Sequence, residues 1–220
     1  MKDSNQKIIK FEYDQNFKYE DFYISKSNEH ILFLFDKWPK WSKNFLNISG
    51  EAFSGKTHLI DIFLKKFNGI KLECNNLNNK NLDEIKIYQN IILENMNNNF
   101  NENLIFSLFN IIDQDNKYLI VTSREPIVNL DFKLNDLKSR AKNFLLHKIE
   151  KPDDELIYAL ILKNLSDKQI LIEKKLINYI IKRIDRSYSK IYEFIYKIDE
   201  LSLKKKKSID LKIIKEVLGD

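Results

Sequence analysis

Eight consecutive residues constrain this chain more than any others: Gly50-Glu51-Ala52-Phe53-Ser54-Gly55-Lys56-Thr57 match the pattern G-x-x-x-x-G-K-[ST] completely. The motif follows a short apolar run, Phe45–Ser49, and opens a helical pattern carried by His58, Leu59, Ile60, Ile62 and Phe63. Strand, loop and helix in that order predict a loop whose backbone amides wrap a phosphate. The glycines permit the wrapping, and the helix N-terminus adds donors and positive potential. Lys56 is placed to reach the β and γ phosphates, and the Thr57 hydroxyl to ligate Mg²⁺. The cradle therefore spans Gly50 to Thr57, with His58 directly behind it.

The rest of the chain supplies a scaffold of matching kind. Short β-rich runs at Phe45–Ser49, Ile70–Cys74, Tyr88–Leu93, Tyr118–Thr122 and Phe144–Ile149 alternate with helical stretches at 56–68, 102–114 and 134–141. Strands alternating with helices predict a five-stranded parallel sheet with helices on both faces, an α/β fold. Before the first strand, Ser25 and Asn28 precede an apolar stretch from Ile31 to Phe35, predicting a capped helix over 25–37 that ends before Pro39. After Pro152 the β signal stops, and four helices are predicted at 153–165, 173–184, 187–203 and 209–218. The organisation expected is a polar arm (1–14), an α/β nucleotide-binding domain (15–150) and a small helical lid (151–220).

Composition narrows the class. With 220 residues, 43% of them hydrophobic, the chain can bury a core and is not a disordered polymer. No apolar run approaches the ~20 residues needed to cross a bilayer, and the first residues are too charged for a secretory leader, so no membrane role is expected and the chain reads as cytoplasmic. Cys74 is the single cysteine, and the three histidines have no ligand spacing. The net charge of +5 invites a nucleic-acid reading. However, bases and acids are interleaved, and the run Lys204 to Lys207 falls at a helix end where cations complement the dipole. Direct sequence-specific DNA binding is not expected. The stretches Asn75–Asn81 and Asn95–Asn103 read as loops.

A phosphate loop works with a second strand that ends in an acid. Tyr88 to Leu93 is apolar and leads into Glu94 and Asn95. Glu94 can support the metal, but Asn95 cannot act as a general base. A complete cradle beside an incomplete hydrolytic pair points to nucleotide binding (ADP or ATP, with Mg²⁺) and at most weak ATPase activity.

From about residue 16 to 218 the order of segments resembles the AAA+ regulators related to DnaA, in particular the Hda type of alphaproteobacteria. Asn16-Phe17 and Asp21 to Asn28 resemble the entry segment that borders the adenine pocket, which implies contacts from Phe22 and Ile24. Trp38-Pro39-Lys40-Trp41 is similar to an aromatic stretch ahead of the first core strand. Leu119 to Pro126 resembles the sensor 1 strand, implying roles for Thr122 and Ser123. Leu134-Asn135-Asp136-Leu137-Lys138-Ser139-Arg140 resembles the segment that carries an arginine finger. The resemblance implies that Arg140, with Ser139 beside it, acts in trans on a neighbouring subunit's nucleotide. Lys151 to Leu156 resembles the start of the lid, and Ile184 to Lys190 the sensor 2 region. There Ser189 stands where the family's sensing arginine would be, leaving Lys190 or Arg186 as substitutes. Gln6, Ile9 and Phe11 are similar to a peptide that tethers such regulators to the sliding clamp.

The resemblance implies a regulator that binds adenine nucleotide and, with the DNA polymerase III sliding clamp, promotes hydrolysis of DnaA-bound ATP, restraining initiation. The initiator's helix-turn-helix domain has no counterpart in these 220 residues, which favours a regulator over an initiator. Two other readings stay open: a nucleotide-stabilised adaptor, and a helicase-loader-like autonomous ATPase on single-stranded DNA. Self-association is also left open.

Overall fold

The computed structural model describes residues 22–219. The proposed tether residues Gln6, Ile9 and Phe11 lie outside the described residues, as do Asn16, Phe17 and Asp21. Five parallel strands form one sheet: β1 (Phe45–Ser49), β2 (Gly69–Glu73), β3 (Asn90–Met96), β4 (Tyr118–Ser123) and β5 (Leu145–Lys148). Their order is β2-β3-β4-β1-β5, so β1 is paired with β4 on one side and β5 on the other. All five residues of β1 are buried, and its one mid-strand polar residue, Asn47, has its side-chain amide satisfied by the Val121 carbonyl, the Ser123 hydroxyl and the Ile127 amide.

Alternate residues of the central strands sort to opposite faces, as the two-residue strand period requires. Phe45, Ile91, Leu93, Leu119 and Val121 pack with Leu82 from α3 (Asn79–Glu84), Phe109 from α4 (Glu102–Gln114) and Leu137 from α5 (Asn135–Ala141). Leu46, Ile48, Ile92 and Ile120 pack instead with Ile31 and Phe35 of α1 (Glu29–Asp36) and Leu59, Ile60 and Phe63 of α2 (Lys56–Lys66). The α/β sheet covered on both faces is thus as the sequence predicts.

Four helices follow: α6 (Asp154–Asp167), α7 (Lys174–Ile181), α8 (Tyr188–Lys205) and α9 (Leu211–Leu218). Ile157, Ile161, Ile177, Ile191, Ile195 and Ile213 belong to a separate apolar cluster drawn wholly from this region. Asp153, Ser187 and Asp210 cap α6, α8 and α9 with side-chain oxygens. No helix among the described residues is long and apolar enough to cross a membrane.

Some local expectations are corrected. Asn75–Asn81 is not all loop: Cys74–Asn76 forms a 3-10 turn, and α3 begins at Asn79. The asparagines start this helix, because Asn78 and Asn81 exchange side-chain hydrogen bonds with each other's backbone in a capping box. β3 begins at Asn90 and runs on through Asn95 to Met96, two residues later at its start and three at its end than the apolar run suggested. α1 starts at Glu29, and Asn28 does not cap it. The Asn28 side chain instead accepts from the Ser25 amide (3.0 Å) and donates to the Tyr23 carbonyl (3.0 Å), tying the entry segment. The Trp38–Pro39 peptide is cis.

Phe63 is the hub of the α1–α2 layer: it is fully buried, and Phe35, Trp38, Trp41 and Phe67 all have ring centroids within 6.3 Å of it. Phe63→Ala should lower the unfolding free energy by about 3–5 kcal/mol. Urea denaturation followed by tryptophan fluorescence measures the loss. A change below about 1 kcal/mol would remove Phe63 from this role.

Candidate nucleotide-binding site

The phosphate loop leaves the carboxyl end of β1, where the Gly50 amide donates to the Ser123 carbonyl at 3.1 Å. Gly55 precedes α2 with φ of 90°, a left-handed conformation that costs glycine little. A Cβ there would also approach the Phe22 ring at 3.4 Å. Phe53 has φ of 65° without being glycine, at a cost of about 1–3 kcal/mol. Its ring stacks on Tyr192 of α8 with centroids 4.9 Å apart, which offsets part of that cost.

Lys56 is folded into the loop. Its ammonium donates to the carbonyls of Gly50 and Glu51, each at 2.8 Å, and the residue is only 9% exposed. Burial, helped by the nearby Arg124 cation, lowers its pKa to about 8, against the opposing pull of Glu94 and Glu51. A phosphate oxyanion at this point would relieve both penalties.

Glu51 belongs to the cradle by sequence, but its side chain serves the lid. The carboxylate accepts from the backbone amides of Tyr188 (3.0 Å) and Ser189 (3.4 Å) and from the Ser187 hydroxyl, all at the start of α8. Burial alone would raise its pKa, yet these hydrogen bonds outweigh burial and hold the carboxyl below its ordinary value. Sensor 2 region residues therefore point to other tasks. Ser189 binds Glu51, Lys190 pairs with Glu193 at 2.9 Å, and Arg186 pairs with Asp154 at 2.7 Å. None of the three lines the cleft; Tyr188 and Tyr192 of the same helix do.

The cleft has a volume of about 1470 Å³ and runs from the loop to the lid. Ala52, Phe53, Ser54, Gly55, Lys56, Thr57 and His58 form its floor. Phe22 reaches it and meets His58 edge-on at 5.0 Å. Ile24 does not line it and is half exposed; Tyr23 and Asn28 take that wall instead. Arg124 and Glu73 also line the cleft, and neither was singled out from the sequence. Arg124 carried a usable signal, since it follows the sensor 1 strand directly.

Glu94 is 5% exposed, with its Oε1 buried and unpartnered and its Oε2 3.6 Å from the Lys71 ammonium. An unsatisfied buried carboxylate oxygen fits a cation ligand. Thr57 and Glu94 are the residues that would hold Mg²⁺, with phosphate oxygens and water completing its octahedral shell. Among the described residues no group of three His, Cys, Asp or Glu could hold a metal ion.

At Asn95 the pairing of β3 with β4 shifts register, and φ is 58°. This bulge sends the Asn95 amide N–H to the Thr122 hydroxyl (3.0 Å) and its side chain to Glu73. Thr122 and Ser123 are thereby occupied in holding strands. The Ser123 hydroxyl accepts from the Asn47 side chain at 2.9 Å and donates to the Glu125 carbonyl at 2.5 Å.

Arg140 is remote from this cleft. It lines a separate cavity of about 250 Å³ beside Asn44 and Phe45, at the amino end of β1. Five strand residues at roughly 3.3 Å each put it on the order of 15 Å from the loop at the other end. Its guanidinium donates to Asp113 (3.0 Å) and Asn110 (2.7 Å) and pairs with Asp136 (2.8 Å).

No protein-family model matches the chain. The chromosomal replication initiator protein DnaA of Buchnera aphidicola is 24% identical over 234 residues, covering 94% of this chain and 54% of that protein. The chain thus spans about half the length of that relative. Domain III of DnaA from Thermotoga maritima superposes with a TM-score of 0.72 at 18% identity, covering 94% of this chain and 97% of that one. AMPPCP-bound DnaA from Aquifex aeolicus gives 0.67 at 19% identity, covering 88% and 70%. The Thermotoga maritima RuvB branch migration motor gives 0.66 at 14%, covering 88% and 67%. The fold is that of a DnaA-like AAA+ domain.

Two consequences can be measured. Phosphate should raise the pKa of Lys56 from about 8, so nucleotide binding above pH 8 takes up a proton, and affinity falls by up to about tenfold per pH unit. Calorimetry in buffers of different ionisation enthalpy detects that proton; a flat affinity from pH 7 to 9.5 would contradict it. Because the Glu51 pKa is lowered in the folded state, its contribution is present above the ordinary value of 4.5 and is lost as pH falls through the lowered value. Glu51→Gln should speed amide exchange at Tyr188 and Ser189, read by NMR at pH 7. Unchanged protection there would mean that the lid is held by other contacts.

Proposed function

We propose that this chain is a AAA+ regulator of replication initiation that holds an adenine nucleotide with Mg²⁺ between its phosphate loop and lid. In this reading it presents Arg140 to the nucleotide of a neighbouring DnaA subunit and promotes hydrolysis there, restraining initiation. The observation that carries the nucleotide part is the Lys56 ammonium, buried within the loop beside Arg124 and facing the cleft with no ion-pair partner among the described residues. The action in trans is supported by the position of Arg140 at the opposite end of β1 from its own cradle. A guanidinium there cannot reach its own phosphates, whereas a permanently charged planar fork suits a partner's. Clamp tethering through Gln6, Ile9 and Phe11 completes the proposal.

Asp113, Asp136 and Asn110 hold the guanidinium in the isolated chain, so docking must exchange these acceptors for phosphate oxygens. The same three contacts favour a second reading, an adaptor in which nucleotide is structural and Arg140 only braces α4 against α5. Hydrolysis of DnaA-bound ATP, with and without this protein and the clamp, separates the two. Arg140→Ala should abolish the stimulation, on the order of 10³-fold for a lost arginine finger. Its own nucleotide affinity should stay within twofold of wild type. Full stimulation by the variant would leave the adaptor.

A further inference from the structure

Asn95 follows the metal-side acid Glu94, and its amide can orient a water but cannot take a proton. The structure supplies a base next door. Glu73 closes β2 and sits opposite Glu94 in the parallel pairing of β2 with β3, one strand further from β1. The Asn95 Nδ2 donates to both oxygens of the Glu73 carboxylate, at 3.0 and 3.2 Å. Glu73 and Asn95 both line the cleft that holds Lys56, Thr57 and Arg124. The β3 bulge is what allows this contact, since the left-handed Asn95 backbone turns its side chain out while Leu93 and Met96 stay in the core.

We infer that Glu73 is the general base for ATP hydrolysis by this chain, held in place by the Asn95 amide. The inference rests on the nucleotide-binding reading above. Glu94 is the poorer candidate, because it is buried beside Lys71 and its open oxygen is placed for a cation. Glu73 is only partly buried, and one amide nitrogen leaves free most of the roughly four acceptor positions of a carboxylate. A water donating to Glu73 forms a bond from its oxygen to the γ phosphorus as its proton passes to the carboxylate. The bond from that phosphorus to the β–γ bridging oxygen breaks, and its electron pair leaves with ADP. Lys56 neutralises charge on the phosphates. Asn95 is a positioning residue in this scheme.

The test is single-turnover hydrolysis of ATP with protein in excess, with Mg²⁺, beside a nucleotide titration. Wild type should hydrolyse ATP slowly. Glu73→Gln keeps an acceptor for Asn95 and should lower the rate about 100-fold or more and leave nucleotide affinity within twofold. The exchanged pair, Glu73→Asn with Asn95→Glu, should restore the rate to within about tenfold of wild type, which a purely structural strap between β2 and β3 would not do. A wild type that binds ATP without hydrolysing it would overturn the assignment alone. So would Glu73→Gln with an unchanged rate. A wild type that fails to bind nucleotide would overturn both this inference and the reading beneath it.

Discussion

β1 is paired on both edges and packed on both faces, so apart from Asn47, whose buried amide bonds to β4 and to the Ile127 amide, its polar chemistry gathers at its ends. Its side chains are committed to the two layers, so the chain must turn sharply at Ser49 and start α2 within seven residues. That turn is where the backbone amides collect. The opposite end of the same strand lies beside Arg140. One buried strand therefore separates the phosphate-loop end of the sheet from the end beside Arg140. The two-ended character of the protein follows from the core, not from either site.

The phosphate loop also carries the connection to the lid. Glu51 caps α8, and Phe53 stacks on Tyr192, so two of the four variable residues in the motif face the lid. An anion at the start of an 18-residue helix is favoured by the helix dipole as well as by hydrogen bonds. Tyr188 adds a third tie, donating from its hydroxyl to the Glu150 carbonyl at 3.1 Å. The loop and α8 are thus joined directly by side chains of the motif itself.

Much of this was legible in the sequence because it is local. The match at Gly50–Thr57, the strand runs and the lid periodicity report on neighbours within a few residues, and the structure returns them nearly unchanged. What was not legible depends on register between segments far apart in the chain. The pairing of Glu73 with Asn95 requires that β2 lie beside β3 and that β3 carry a bulge, and no residue at either position announces this alone. The cap formed by Glu51 joins residues 136 to 138 apart in sequence. Asparagine misled in more than one way: Asn28 does not cap α1, and Asn95 lies within β3. It breaks helices in their interior but starts them at their ends, and Asn78 and Asn101 do the latter.

The charges around the cradle explain why filling it would matter to the whole molecule. Lys56 and Arg124 are held close enough to weaken the Lys56 charge, while Glu51 is drawn away to α8 and one oxygen of Glu94 is left unpaired. The buried, repelled Lys56 charge and the unpaired Glu94 oxygen are both penalties, and an anion with its cation would remove them together. A ligand that binds only the folded chain adds stability as RT ln(1 + [L]/Kd), about 2.7 kcal/mol at a hundredfold excess over Kd. Glu51 and Phe53 of the same loop grip the lid, so that gain reaches α8 as well as the sheet. Under the proposed function the nucleotide is then part of the fold's own cohesion, and a slow hydrolytic step at Glu73 would act as a timer on it.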